Sequence, residues 1–262
     1  VGKTCSAITM SESLLTSHDN KEPMIWVIMP QSLKQSFKSQ IFDIDTHTFE
    51  NIINQCTGDT YVKLLNIYKS SFSKKKVLNT EIKKLLKGRY RLFTYDGFAK
   101  YIQDNYKDNV VENKVIIIDE AHNIRSTNKK DKDSFIALTN ILTTGINNRL
   151  VLLSATPMYN SYREIIWLTN LLNLVNKKSL IREEEVFDKN GEFVESKTTN
   201  DGRKIEGGKE LLKRKLTGYV SYVRGENPYT FPYRIYPDLF DAARMLSENN
   251  YPKIQMNKKP IE

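Results

Sequence analysis

Two neighbouring carboxylates and a histidine follow a β-branched run near the middle of the chain. Residues 115–118 read Val-Ile-Ile-Ile, and Asp119, Glu120, Ala121 and His122 come directly after them. An unbroken apolar run of this kind predicts a strand of a parallel sheet, buried on both faces. Carboxylates at the mouth of such a sheet are costly unless a cation or a reacting group uses them. Taken alone, the motif fits a magnesium-nucleotide site and a solvated acidic turn about equally.

The first residues of the chain favour the nucleotide site. Gly2-Lys3-Thr4 matches the end of a phosphate-binding loop, in which the glycine backbone approaches the phosphates, the lysine reaches the β and γ oxygens and the threonine hydroxyl binds magnesium. Residues 5–15 predict a helix, so Lys3 and Thr4 would lie at its N-terminus, where partial positive charge favours an anion. Asp119 would then hold the magnesium ion, and Glu120 would activate the water that attacks a γ-phosphate.

A third segment carries hydroxyl groups at a strand end. Residues 150–157 form an apolar run that leads into Ser154 and Thr156 and stops at a proline. These hydroxyls can form hydrogen bonds with acidic residues at a neighbouring strand end. The three segments together resemble the superfamily 2 helicases and translocases, with Gly2-Lys3-Thr4 as motif I, residues 119–122 as motif II of the DEAH type and residues 154–156 as motif III.

The resemblance implies a fold, a substrate and residue roles. The fold would be α/β: a RecA-like lobe with a mostly parallel sheet flanked by helices, followed by a small mixed α/β extension. The lobe would bind ATP and Mg²⁺. Lys3, Asp119 and Glu120 would be catalytic, Gly2, Lys3 and Thr4 would bind the nucleotide, and Thr4 and Asp119 would bind the metal. His122, Ser154 and Thr156 would couple the nucleotide state to nucleic acid.

Further segments narrow the resemblance to the SWI/SNF-like branch. Residues 24–37 are similar to its motif Ia region, Leu92–Phe98 to its motif Ib region, and residues 156–172 to the segment that follows motif III. Residues 222–237 resemble helicases of large cytoplasmic DNA viruses, including the family of the poxvirus early transcription factor small subunit, although Arg224 stands alone where the branch often has two arginines. The implied activity is ATP hydrolysis coupled to translocation on, or remodelling of, double-stranded DNA, with the viral transcription machinery as an expected partner.

The pattern of elements predicts two regions. Residues 1–175 are expected to form the ATP-binding lobe, without its first strand and without the start of the phosphate loop, so we expect a fragment that is inactive alone and an active full-length enzyme. Residues 176–262 are expected to hold a hairpin at Asn190-Gly191, a short basic helix at Lys209–Leu216 and a linker toward a second lobe.

Local patterns add smaller predictions. Elements are expected at residues 45–53 and 61–72, and a polar loop at Ser126–Asp133. A capping box is predicted at Ser161–Glu164. The helix that follows is expected to bury one face, formed by Ile165, Leu168, Leu172 and Val175.

Composition agrees with a partner that is a polyanion. The net charge is +9 and the isoelectric point about 9.3. An AT-rich genome, which favours Lys, Asn and Ile codons, explains part of that charge, and the basic runs at residues 74–76 and 83–84 fit a solvated helix face better than a phosphate contact.

Cysteine usage and the lack of a membrane-spanning run suggest a location. Cys5 and Cys56 indicate neither a metal site nor a disulfide framework, which favours a reducing compartment. We expect a soluble intracellular protein, in the host cytoplasm or the virion if it is viral.

Two alternative functions stay open from the sequence. One is the translocating subunit of a restriction system, which a nuclease motif elsewhere in the protein would indicate. The other is a nucleic-acid-binding scaffold with a decayed ATPase, which the intact Lys3, Asp119 and Glu120 disfavour. The choice between DNA and RNA, the polarity of movement and true strand separation are likewise open.

Overall fold

The structure is a computed structural model that describes residues 2–14, 25–41, 56, 63, 66, 75–107, 109–125, 129–198, 201–202 and 204–222. The predicted element at residues 45–53, most of that at 61–72, and Arg224 lie outside these residues. Contacts divide the chain into the units Val1–Tyr219 and Val220–Glu262. All helices and strands of the described residues lie in the first unit, and the predicted boundary at residue 175 stays a prediction.

A four-stranded parallel sheet forms the centre of this unit. Its strands are β1 (Ile25–Ile28), β2 (Tyr90–Phe93), β3 (Val115–Ile118) and β4 (Arg149–Leu152), in the order β2-β1-β3-β4. Every residue of β1 and β3 is buried, as their unbroken apolar runs predict. The predicted α/β class with a mostly parallel sheet is confirmed.

Eight α-helices accompany the sheet in the described ranges. They are α1 (Lys3–Leu14), α2 (Lys34–Ile41), α3 (Lys75–Arg89), α4 (Tyr95–Asn105), α5 (Lys129–Thr144), α6 (Glu164–Val175), α7 (Glu183–Val186) and α8 (Gly208–Leu216). Short 3₁₀ turns occupy Gln31–Leu33 and Ala121–Arg125, and β5 (Lys197–Thr198) pairs with β6 (Lys204–Ile205) in an antiparallel ribbon.

Helices cover both faces of the sheet because side chains alternate along each strand. On one face, Trp26, Ile116 and Ile118 join a core with residues of α4, α5 and α6, among them Phe98, Leu138 and Leu171. On the other face, Val27 and Ile117 pack with residues of α1 and α2, among them Ile8 and Phe37. The helix that follows motif I is thereby fixed against the sheet.

The extension contains the predicted turn and basic helix. Phe187 and Phe193 form an antiparallel bridge, and Gly191 between them has φ +87°, a left-handed conformation that favours glycine. The turn at Asn190-Gly191 is closed by this single antiparallel bridge, and α8 covers the residues that are predicted to form the basic helix. Ile166, Ile181 and Val186 form a small core under this region.

The expectation that the two cysteines do not pair is wrong in this structure. Cys5 and Cys56 form a disulfide with a Cα–Cα distance of 5.1 Å across a separation of 51 residues. In addition, the Thr9 hydroxyl donates to the Cys56 carbonyl oxygen at 2.9 Å. Two cysteines so far apart in sequence carry no spacing signal, so the pairing depends on the fold that brings them together.

Two predictions around helix starts are also wrong. Residues 129–133, expected in a polar loop, are the first residues of α5. No capping box forms at Ser161: α6 begins at Glu164, whose carboxylate accepts bonds from the backbone and side-chain nitrogens of Asn160. Within α6 the buried apolar residues are Ile166, Leu168 and Leu171, so the buried face is rotated from the predicted one.

None of the helices in the described ranges is long and apolar enough to cross a membrane.

Candidate functional site

The three predicted motifs meet at the carboxyl edge of the parallel sheet. Hydrogen bonds of the ladder continue beyond the strands: the Asp119 amide donates to the Ile28 carbonyl oxygen, and the Leu153 amide donates to that of Ile118, both at 2.9 Å. The Ala121 amide then donates to the Leu153 carbonyl oxygen at 2.9 Å. The turn after β3 is thus fixed beside the segment that follows β4.

The side chains of motifs I and II are in direct contact. Lys3 is the first residue of α1, and its Nζ lies 3.2 Å from Glu120 Oε1 across a separation of 117 residues. The two side chains are 36% and 27% exposed, so a ligand can reach the pair. Gly2 precedes Lys3 with φ +86° and is exposed, and the half-buried Thr4 lies in the same helical turn.

Asp119 is a buried carboxyl group with a perturbed acidity. It is 6% exposed, and its Oδ1 accepts the backbone N–H of Glu120 at 3.0 Å. Burial, and secondarily the charge of Glu120, raises the pKa of Asp119, while that hydrogen bond and the charge of Lys3 act in the opposite direction. A divalent cation would offset the repulsion between the two carboxylates.

The donor set fits magnesium held together with a nucleotide. Among the described residues there is no group of three or more His, Cys, Asp or Glu side chains that could hold a metal ion. Magnesium is commonly bound through one or two carboxylates, with water and phosphate oxygens as the other ligands. Asp119 and Thr4 can supply the protein's part of such a set.

Glu120 has an unusual backbone conformation. Its φ of +52° lies in the left-handed region, which is strained for a residue with a side chain. The Asn123 amide donates to the Glu120 carbonyl oxygen at 2.9 Å. The hydroxyl of Tyr95, at the start of α4, lies 2.6 Å from the Asp119 carbonyl oxygen and 3.0 Å from that of Glu120.

His122 connects motif II to motif III. Its Nδ1 lies 3.0 Å from Ser154 Oγ and 3.5 Å from Glu120 Oε2. Ser154 Oγ also accepts the backbone N–H of Thr156 at 3.1 Å. The ring of Tyr159 stacks on His122, with the centroids 5.7 Å apart and the planes inclined by 23°.

The structure therefore brings most of the predicted site residues together. Lys3, Glu120, His122 and Ser154 form one chain of contacts, Asp119 is joined to Glu120, and Thr156 is joined through its backbone. Sequence reasoning missed Tyr95 and Tyr159. Tyr95 lies in the segment that resembles the motif Ib region, and Tyr159 lies in the segment that resembles the stretch after motif III. These resemblances are the features of the sequence that could have identified the two residues.

Comparisons with known proteins point to one family. Residues 1–216 match the SNF2-related domain. The chain is 27% identical over 276 residues to "Putative ATP-dependent RNA helicase L377" and 29% identical over 238 residues to "Putative ATP-dependent RNA helicase R563", both of Acanthamoeba polyphaga mimivirus. It is 26% identical over 227 residues to "Putative helicase 087L" of Invertebrate iridescent virus 3.

These alignments cover most of the chain but a minor part of each relative. They cover 90%, 88% and 85% of this chain, and 21%, 37% and 20% of the relatives' own lengths. No solved structure matches the chain significantly. The match to the domain spans all three motifs and every side chain of the site described above, and the chain therefore belongs to the family of SNF2-related domains.

Proposed function

We propose that this chain is the ATP-binding lobe of a nucleic-acid motor that couples ATP hydrolysis to translocation on, or remodelling of, double-stranded DNA. The contact between Lys3 and Glu120 at the carboxyl edge of the sheet carries the proposal. It joins a phosphate-binding cation to the carboxylate expected to act as the base. Family membership supports ATP use, and the intact site disfavours a decayed ATPase.

The residues divide the chemistry between them. The backbone of Gly2 and the amino group of Lys3 would hold phosphate oxygens, while Thr4 and Asp119 would hold magnesium. Magnesium held there would supply positive charge to neutralise the negative charge that develops on the transferred phosphoryl group. Glu120 orients the attacking water and accepts its proton, which requires a carboxylate free to move from Lys3 to that water.

The contacts of His122 supply a route from this chemistry to nucleic acid. Its ring contacts Ser154 and lies near Glu120. A movement of the Glu120 carboxylate would therefore shift His122 and, through Ser154, the segment after β4. Thr156 and Tyr159 in that segment are exposed. We therefore assign coupling roles to His122, Ser154 and Thr156.

The finer identity is also proposed here. We infer a DEAH-type member of the SWI/SNF-like branch, with residues 1–175 as the lobe and 176–262 as an extension toward a second lobe. The viral relatives support a viral setting over a restriction system, and within that setting we propose a role in early transcription. Two relatives carry the words RNA helicase in their names, which makes RNA the second candidate substrate.

The test uses the complete open reading frame that contains these residues. ATPase rates are measured with two unrelated DNA duplexes, a duplex RNA and single strands, each at two salt concentrations. We expect both DNA duplexes to stimulate hydrolysis equally, and affinity to fall steeply with salt, because a motor grips phosphates rather than bases. Stronger stimulation by RNA would replace DNA by RNA in the proposal. Nucleic-acid binding without hydrolysis would indicate the decayed scaffold.

A further inference from the structure

The Asp119–Glu120 turn needs support, because Glu120 is held in a conformation that L-residues avoid. A non-glycine residue in the left-handed region costs roughly 1–3 kcal/mol and persists only where its surroundings impose it. The φ of Glu120 is +52°. Its carboxylate is aimed by this backbone, so whatever holds the turn also sets the contact with Lys3.

Tyr95 contributes to that support from another element. Its hydroxyl donates a bifurcated hydrogen bond to the carbonyl oxygens of Asp119, at 2.6 Å, and Glu120, at 3.0 Å. It therefore forms hydrogen bonds with the peptide groups on both sides of the Glu120 Cα atom. The bond spans 24–25 residues of sequence and joins the start of α4 to the end of β3.

Tyr95 is itself held in place from two sides. Thr94 caps α4, with its side chain accepting the Gly97 N–H at 3.2 Å, which fixes the first turn of the helix. The Ser134 hydroxyl of α5 donates to the Tyr95 carbonyl oxygen at 2.7 Å, and Ser134 is 2% exposed. The ring of Tyr95 packs against the core below.

We propose that Tyr95 is a positioning residue that sets the orientation of Glu120 through the backbone of the Asp119–Glu120 turn. The proposal rests on the proposed function, in which Glu120 is the base. The hydroxyl of Tyr95 acts on the turn through the backbone carbonyl oxygens of Asp119 and Glu120. Its loss should thus lower the rate of hydrolysis with little effect on nucleotide binding, because Lys3 and Thr4 keep their places on α1 and Gly2 keeps its place before the helix.

The test compares four variants in the complete protein: Tyr95→Phe, Tyr101→Phe, Glu120→Gln and Glu120→Asp. Tyr101 lies on the same helix as Tyr95, and its hydroxyl accepts a hydrogen bond from Arg91 instead of contacting the turn. For Tyr95→Phe we expect kcat to fall about tenfold to a hundredfold with KM for ATP nearly unchanged, since a misplacement of about 1 Å can cost that much. Tyr101→Phe should keep a normal kcat.

A double-variant cycle separates positioning from a general loss of stability. If Tyr95 acts through Glu120, removing its hydroxyl should cost several-fold less in kcat in the Glu120→Asp background, where the carboxylate is already displaced. An equal cost in both backgrounds would overturn the proposal. So would a normal kcat in Tyr95→Phe. If Tyr95→Phe does not fold, Ser134→Ala carries the test: a lowered kcat at constant KM supports the proposal, and an unchanged kcat overturns it.

The same variants distinguish failure of the Tyr95 proposal from failure of the proposed function. An inactive Glu120→Gln together with a fully active Tyr95→Phe removes Tyr95 and leaves the proposed function intact. Near-normal hydrolysis by Glu120→Gln removes Glu120 as the base, whatever Tyr95→Phe does.

Discussion

Lys3 and Glu120 form an ion pair between the first turn of α1 and the turn after β3, with Nζ 3.2 Å from Oε1. Phosphate oxygens that approach Lys3 must compete with this carboxylate. Under the proposed function, the pair would link the arrival of a phosphate at Lys3 to the release of Glu120 as the base.

Replacing Glu120 by Gln should separate binding from turnover. We expect ATP affinity to stay equal or to increase, because the competing carboxylate is gone, and hydrolysis to be lost, because an amide cannot accept the water's proton. Lys3→Ala should instead weaken ATP binding. Equilibrium binding and steady-state hydrolysis are measured on both variants.

The stability of these variants serves as the control. The pair is about one third exposed, so its loss should change the free energy of unfolding by less than about 1 kcal/mol. Tighter binding by Lys3→Ala would contradict the role of the lysine.

The raised pKa of Asp119 predicts a pH-dependent effect on folding. Burial raises this pKa above that of the unfolded chain, so the folded state holds the proton more tightly and the ionised carboxylate destabilises the fold at neutral pH. Asp119→Asn should therefore raise the free energy of unfolding at pH 7, and the difference should shrink as pH falls toward the ordinary aspartate pKa. Urea unfolding at several pH values measures it.

An exposed aspartate provides the comparison. Asp104 on α4 is solvated, and Asp104→Asn should alter stability by no more than about 0.5 kcal/mol. If Asp119→Asn were the less stable protein at pH 7, the favourable interactions of the negative charge with the Glu120 amide and Lys3 would outweigh its desolvation.

The Cys5–Cys56 disulfide should stabilise the chain. It joins residues 51 positions apart in the sequence, and a disulfide typically contributes about 2–4 kcal/mol. Cys56→Ser should lower the free energy of unfolding by that amount, and a reductant should do the same to the natural chain but not to the variant. Thr9→Val, which removes the nearby hydrogen bond, should cost about 1 kcal/mol and stay sensitive to the reductant. Free thiols in the denatured, unreduced protein would contradict the bond.

The stacking of Tyr159 on His122 predicts a change in coupling. Tyr159 is 69% exposed, and its ring restrains the histidine that contacts Ser154. Tyr159→Ala should lower the ratio of stimulated to unstimulated ATPase several-fold, and Tyr159→Phe, which keeps the ring, should restore it. The two rates are measured with and without duplex DNA. Equal ratios for the Ala variant and the natural protein would exclude the stacking as part of the coupling.

The parts of the fold that sequence predicts best are those encoded by short local patterns. The unbroken apolar runs of β1 and β3 identify buried parallel strands, and the motif residues directly after β3 identify the site. Helix α6 is different, because it is apolar on nearly every side. Its periodicity cannot select a face, and the packing that buries Ile166 and Leu171 decides it.

Other features depend on contacts between distant residues. The Cys5–Cys56 pairing, the grip of Tyr95 on the Asp119–Glu120 turn and the order of the strands arise from chain segments that meet after folding. At the start of α6, the carboxylate of Glu164 accepts hydrogen bonds from Asn160 and not from Ser161, which the capping pattern predicts as its partner. Local propensity contains no information about such choices.

The four strands of the sheet end at paired residues, and this alignment limits where the protein can tolerate an inserted residue. Ile28, Phe93, Ile118 and Leu152 lie in one row, so the segments after these residues leave the sheet at the same height. One extra codon within β3 would turn Asp119 to the opposite face of the sheet, because side chains alternate along a strand. The same codon placed between Asn109 and Val110, ahead of β3, would be absorbed by the connection. Length variation among natural homologues should therefore concentrate in the connections and spare the four strands.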